Sequence, residues 1–211
     1  MDRKKFLKLG TFAFAGIQSH SLLTSAEMPL VVATWESGLK VNLAAWKHLE
    51  TGGRALDAVE AGARSIEETI DCCVGLGGFP DRDGIVTLDA CIMDENANCG
   101  AVAGLEQIKH PISVARKIME TTPHVLLVGQ GAQQFALENG FTKEKAELSG
   151  SATSAYKNWL KSSKYEPVIN IENKKQNGPF APHFFEDGSL NHDTMGLLAL
   201  DLKGNISGAV T

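Results

Sequence analysis

Two apolar runs of strand length, 194–202 and 205–210, stand near the end of the chain, separated only by a tight turn. The first contains Met195-Gly196-Leu197-Leu198-Ala199-Leu200, and Lys203-Gly204-Asn205 supplies the turn chemistry that ends it. Strands this apolar must be buried, so the chain has to build a sheet and place helices against it. Immediately before the first run comes His192-Asp193-Thr194, preceded by a polar, Pro/Gly-rich stretch over 164–191. An isolated Asp-Thr would merely open a strand. A threonine at this point has a second possibility, because cutting the Asp193-Thr194 bond would give Thr194 a free α-amino group with pKa about 7.7–8. That amine can serve as general base for the hydroxyl of its own residue, one of the few ways to activate a threonine oxygen near neutrality.

Earlier in the chain the periodicities alternate between helix and strand. Residues 29–35 form a short β-rich run. Leu39, Leu43 and Trp46 then recur at helical spacing, with Thr51-Gly52-Gly53 as the stop. A second helix from about Ala55 carries Leu56, Val59, Ala63 and Ile66 on one face, and residues 71–84 read as a glycine-rich loop. Residues 85–93 and 100–105 are expected to form a hairpin, with Val86, Leu88, Ala90 and Ile92 on one face. A helix opened by Pro111, a short buried strand at 124–128, a helix at 130–139 and a helical segment at 156–160 follow. This order predicts a layered α/β domain with an antiparallel sheet, helices covering both of its faces. The last strand reaches Thr211 with no helix to close over it, which is unusual for a complete domain.

Residues 1–26 read as an export signal. Arg3, Lys4, Lys5 and Lys8 precede the apolar run 9–17, and Thr24-Ser25-Ala26 offers a small-residue cleavage site. Arg3-Lys4-Lys5-Phe6-Leu7-Lys8 also resembles a twin-arginine signal with lysine in place of the second arginine, so periplasmic or secreted location by that route or the general one is expected. The formal charge of −5 excludes a broad basic face for nucleic acid, and no later run is long enough for a membrane span. Cys72, Cys73, Cys91 and Cys99 lack zinc-site spacing, so no metal is expected. A hairpin centred on Glu95 would set Cys91 opposite Cys99 and permit a disulfide. A one-residue shift of register removes it, and buried free thiols are the expected state.

Several segments together resemble the glycosylasparaginase family. They are Thr34-Trp35, Leu88-Asp89-Ala90-Cys91-Ile92-Met93-Asp94-Glu95-Asn96, Pro111-Ile112-Ser113-Val114-Ala115-Arg116, Thr122-Pro123-His124-Val125-Leu126-Leu127-Val128-Gly129 and His192-Asp193-Thr194-Met195-Gly196. The resemblance runs in order over 29–211. It implies the αββα sandwich of the N-terminal nucleophile hydrolases, here incomplete at the C-terminus, with 27–193 as α-subunit region and 194–211 as the start of the β-subunit region.

By the same resemblance Thr194 is the catalytic nucleophile, and His192, Asp193 and Thr194 carry out self-cleavage. Trp35, Cys73 and Thr211 are implied in substrate binding; from the residues alone Trp35 reads as core. The implied reaction is hydrolysis of the side-chain amide of an N-glycosylated asparagine, without metal or organic cofactor. Hydrolysis of free asparagine or β-aspartyl peptides is the alternative within the family, and a non-catalytic fragment lacking the substrate-binding half is the alternative outside it. Pairing with the missing C-terminal half and dimerisation are also implied.

Three departures from the family pattern stand out. Cys73-Val74-Gly75 replaces Ser-Val-Gly, and 174–191 resembles an insertion. Members of the family also continue past the position of Thr211 with a second threonine, an arginine, an aspartate and a Thr-Gly oxyanion pair. The 211-residue chain alone is therefore expected to hold the nucleophile without a working site.

Overall fold

The computed structural model describes residues 29–70, 74–162, 188 and 194–211. Residues 1–26, expected to be an export signal, Cys73, nearly all of the segment 174–191 expected to be an insertion, His192 and Asp193 lie outside these residues. Strand β1 (Leu30–Ala33) leads into helices α1 (Gly38–Leu49) and α2 (Ala55–Glu67). Strands β2 (Thr87–Met93) and β3 (Cys99–Glu106) precede α3 (Pro111–Thr121), β4 (Leu126–Val128), α4 (Gly129–Glu138) and α5 (Gly150–Ser162). Strands β5 (Gly196–Leu200) and β6 (Ile206–Val210) follow.

These strands make one six-stranded sheet in the order β1-β5-β6-β2-β3-β4. Both expected hairpins form, β2–β3 and β5–β6. The β1–β5 and β2–β6 pairs are antiparallel too, but β4 runs parallel to β3. Helix α3 crosses over between those two strands, and such a connection returns the chain in the same direction. The strand expected to be buried at 124–128 is instead an edge, with Leu126 and Val128 exposed.

Period-two patterning is strict in β2: Leu88, Ala90 and Ile92 are buried while Thr87, Asp89, Cys91 and Met93 face outward. The buried face continues through Leu197 and Ala199 of β5 and Ala209 of β6, and α1 to α4 all contribute to the single core packed there. Helices approach this face closely at glycines. A Cβ on Gly62 of α2 would lie 2.6 Å from Leu197 Cδ1, and one on Gly100 of β3 would collide with the Ala115 carbonyl of α3. Gly100→Ala therefore has to push α3 off the sheet. We expect it to destabilise by about 2–3 kcal/mol and to lower the thermal midpoint by about 4–12 °C in a calorimetric scan. An unchanged midpoint would mean that α3 sits farther from β3 than described.

Helix α1 corrects the expected core stripe. Leu39, Leu43 and Trp46 are exposed, while Gly38, Val41, Ala45 and Leu49 are buried. Both sets fit a 3.6-residue period; packing against α2 and the end of β1, where Gly38 abuts Ala33, selects the smaller side chains. The one-residue register shift that removes a Cys91–Cys99 pair is the one that forms. The hairpin register sets Cys91 opposite Ala101 and Cys99 opposite Met93, so the turn centres on Asn96 rather than Glu95. Both thiols are free, but Cys91 is exposed and Cys99 half-buried, rather than both buried.

Among the described residues the helices cover one sheet face only, against the expectation of cover on both. Leu30, Val32, Met93, Leu198, Ile206 and Val210 are exposed on the opposite face. An αββα order turns that face inward, so the described residues form a helix layer and the sheet it backs.

Candidate active site

The site is built where β5 begins. Met195 and Thr211 exchange both backbone hydrogen bonds, Met195 N–H to Thr211 O at 2.8 Å and Thr211 N–H to Met195 O at 3.0 Å, extending the β5–β6 ladder by one pair. On the other side, Thr34 N–H donates to the Gly196 carbonyl at 2.9 Å and Gly196 N–H donates to Thr34 Oγ1 at 3.0 Å. The Trp35 indole Nε1–H donates to the Thr194 carbonyl at 2.9 Å. Residues 194–196 are thus held between the exits of β1 and β6 before the regular strand starts.

Trp35 has φ +63°, a left-handed backbone that a residue with a bulky side chain adopts at a cost of about 1–3 kcal/mol. Its residue is 42% exposed, which removes the reading of Trp35 as core. The left-handed turn occurs between β1 and α1 and coincides with the delivery of the indole to the Thr194 carbonyl.

Thr194 itself is exposed and borders a cavity of about 160 Å³ shared with Thr211, Asp89, Gly75, Gly78 and Phe79. Glycines form one wall because the loop lies flat against the end of α2. Gly75 has φ +66°, and a Cβ on Gly77 would lie 2.8 Å from the Ile70 carbonyl carbon. Cys73 immediately precedes this wall, outside the described residues.

Two acidic side chains at the site were given no role by the sequence reading. Asp89 faces the cavity, and its Oδ1 accepts the Gly104 N–H at 2.7 Å where the β2–β3 register shifts between Leu88 and Ala90. Its signal is a lone carboxylate on the outward phase of an apolar strand. Glu67 is buried at the end of α2 and accepts the Thr211 hydroxyl at 2.7 Å. Its signal is a glutamate four residues after Ala63, on the apolar stripe of that helix. The structure therefore brings Trp35, Thr194 and Thr211 together, with the Thr211 hydroxyl committed to Glu67.

Chemically, the arrangement presents an exposed threonine at the head of an interior strand, a fixed carbonyl beside it and a cavity for a small substrate. A helix-backed sheet with its candidate nucleophile there is the layered α/β architecture of the N-terminal nucleophile hydrolases. Comparison with known proteins agrees. The model of the asparaginase family matches residues 15–211. N(4)-(β-N-acetylglucosaminyl)-L-asparaginase of Elizabethkingia miricola is 48% identical over 100% of this chain and 59% of its own length. The enzymes of that name from Mus musculus and Rattus norvegicus are 40% and 41% identical, over 86% of this chain and 56% of theirs. The chain belongs to the asparaginase family, and it spans between 56% and 59% of the length of these curated relatives.

Proposed function

We propose that this chain carries the nucleophile-bearing part of a self-cleaving amidohydrolase that acts on N4-(N-acetylglucosaminyl)-asparagine. The observation that carries the reading is the clamped, exposed Thr194, with Trp35 Nε1–H on its carbonyl at 2.9 Å. The names borne by the similar proteins favour the glycosylated substrate over free asparagine.

In the first reaction the Thr194 hydroxyl attacks the Asp193 carbonyl carbon. The C–N bond breaks as a C–O ester forms, and the proton passes to the Thr194 nitrogen. Water then hydrolyses the ester, leaving the Asp193 carboxylate and a free Thr194 amine. In the second reaction that amine takes the hydroxyl proton while the oxygen attacks the side-chain amide. The proton goes to the departing glycosylamine nitrogen, and water hydrolyses the β-aspartyl ester to aspartate and free Thr194.

The test pairs intact mass with an assay on the full-length protein. A fragment starting at Thr194 and aspartate release from glycosylasparagine in excess of that from asparagine or a β-aspartyl dipeptide support the reading. Equal or preferred hydrolysis of free asparagine moves the assignment to the alternative within the family. The same mass measurement with fractionation tests export, which we propose from the basic and apolar order of residues 1–26: a mature chain starting near Glu27 outside the cytoplasm is expected, and an uncut chain with Met1 confined to the cytoplasmic fraction sinks it.

Trp35→Phe keeps an aromatic ring but removes the donor to Thr194. We expect both self-cleavage and kcat to fall about tenfold, since small misplacement of a reacting group is expensive. Unchanged rates in a folded variant would make the indole bond incidental.

A further inference from the structure

The side chain of Glu67 has no exposed surface, yet it lies outside the cavity lining around Thr194. Oε1 accepts the Thr211 hydroxyl at 2.7 Å and the Ile112 N–H at 3.1 Å. Oε2 faces His110 Nδ1 at 3.2 Å, and the other ring nitrogen of His110 lies 3.6 Å from Glu68 Oε1. One buried carboxylate therefore joins the end of α2, the entrance to α3 and the residue after β6. Closing the first turn of α3 would require only the Ile112 contact, and an uncharged cap does that without burying a carboxylate. Of the contacts that this requirement leaves unexplained, to His110 and to Thr211, the one to Thr211 is the shorter.

A carboxylate offers acceptor sites only, so the single hydroxyl proton of Thr211 points at Glu67. The backbone of Thr211 in turn exchanges both of its hydrogen bonds with Met195, the residue next to Thr194. Paired residues share a sheet face and successive residues alternate, so the Thr211 side chain lies on the helix side with Met195 and can be gripped from α2. We propose that Glu67 is a positioning residue, which locks Thr211 from beneath the sheet and so fixes the backbone from which Thr194 is presented. The inference rests on the reading of Thr194 as nucleophile. Glu67 touches neither Thr194 nor the space for substrate, so it acts on alignment.

A double-mutant cycle in the full-length protein tests this, with Glu67→Met, Thr211→Val and the two combined. The readouts are kcat and KM for glycosylasparagine and the thermal midpoint. Met is unbranched and of similar length but has no oxygen to accept the Thr211 hydroxyl, whereas a Gln carbonyl could replace Oε1 and keep that bond. Val removes the Thr211 hydroxyl at nearly constant shape. Each single variant is expected to lower kcat about tenfold with KM within about twofold. The double variant should fall no further than the worse single one, since both break the same link.

A folded Glu67→Met variant with unchanged kcat overturns the inference. So does a double variant whose loss is the product of the two, on the order of a hundredfold, because the residues then act independently. Should Glu67→Met fail to fold, Thr211→Val decides alone: an about tenfold fall in kcat with KM within about twofold at a retained midpoint supports the inference, and either unchanged kcat or a rise in KM, which a lost substrate contact at this cavity-lining residue would give, overturns it. Thr194→Ala is assayed in parallel. Hydrolysis by that variant would remove the nucleophile reading itself, whereas an inactive Thr194→Ala beside an additive cycle removes only the role of Glu67.

Discussion

Thr194→Ala should leave the full-length protein as one uncut polypeptide and reduce hydrolysis of glycosylasparagine by about 10⁴-fold or more. On the proposed mechanism the variant removes the attacking atom of both reactions, whereas the fold has little reason to change. Thr194 is exposed, and the backbone contacts that hold 194–196 come from Thr34, Trp35 and Thr211 and survive the substitution. Intact mass and an aspartate assay read the two losses separately. Two subunits from Thr194→Ala would take Thr194 out of the cleavage step. Thr194→Cys should still cut itself, since a thiol can make the same acyl shift. A folded Cys variant that never cuts would argue against an attack by the side chain.

Asp201→Ala is expected to cause the largest loss of stability among single changes away from the nucleophile. Asp201 is 2% exposed and ends β5. Its Oδ1 accepts the N–H groups of Lys203 and Asn205 at 2.9 and 3.0 Å. Its Oδ2 accepts Asn205 Nδ2 at 3.0 Å and the Ala55 N–H, at the start of α2, at 3.1 Å. One carboxylate thus shapes the β5–β6 turn and closes a helix end from the opposite side of the chain. Alanine leaves the buried Ala55 N–H without this partner. A loss of about 3 kcal/mol follows, or about 6–12 °C in thermal midpoint. A shift below about 2 °C would mean that water replaces the carboxylate there.

Asp94 repeats the device in the β2–β3 turn, accepting the Asn96 and Asn98 N–H groups at 2.9 Å each and Asn98 Nδ2 at 3.0 Å. Arg54, the residue before α2, donates to Asp94 and to Glu95. Both turns therefore grip the same helix end. Burial pushes the two aspartates up, but the hydrogen bonds they accept, led by those from Asn98 and from Asn205, together with the Arg54 charge beside Asp94, outweigh it, and both carboxyls are held below their ordinary value. The sign follows from linkage. A depressed folded-state value contributes stability that is present above the unfolded value of about 3.9 and is lost as pH falls through the folded one. Asp201→Ala should accordingly flatten the acid limb of the stability profile below about pH 4.

Much of this arrangement is legible in residue order. The alternation in 85–93, the stripe Leu56, Val59, Ala63 and Ile66, and the Lys203-Gly204-Asn205 turn each correspond to the element they imply. The misreadings have a common origin. In α1 two sets of residues share the helical period, and hydrophobicity favours Leu39, Leu43 and Trp46, while the partner helix accepts Val41 and Ala45. In the β2–β3 hairpin the turn residues allow either centre, and the choice separates Cys91 from Cys99. A glutamate on an apolar stripe and an aspartate in a strand are visible as exceptions, but their partners, Thr211 and Gly104, lie 144 and 15 positions away.

Residue order alone determines which segments are helix or strand, where the chain turns and which threonine is chemically eligible, because these depend on side-chain periods of 2 and 3.6 and on chemistry within a few residues. Which apolar stripe is buried, which strand runs parallel, how Trp35 reaches the Thr194 carbonyl and why Glu67 meets Thr211 are decided only when the sheet assembles. Those contacts join residues distant in sequence, and their energies depend on spacing and direction between elements rather than on any local preference.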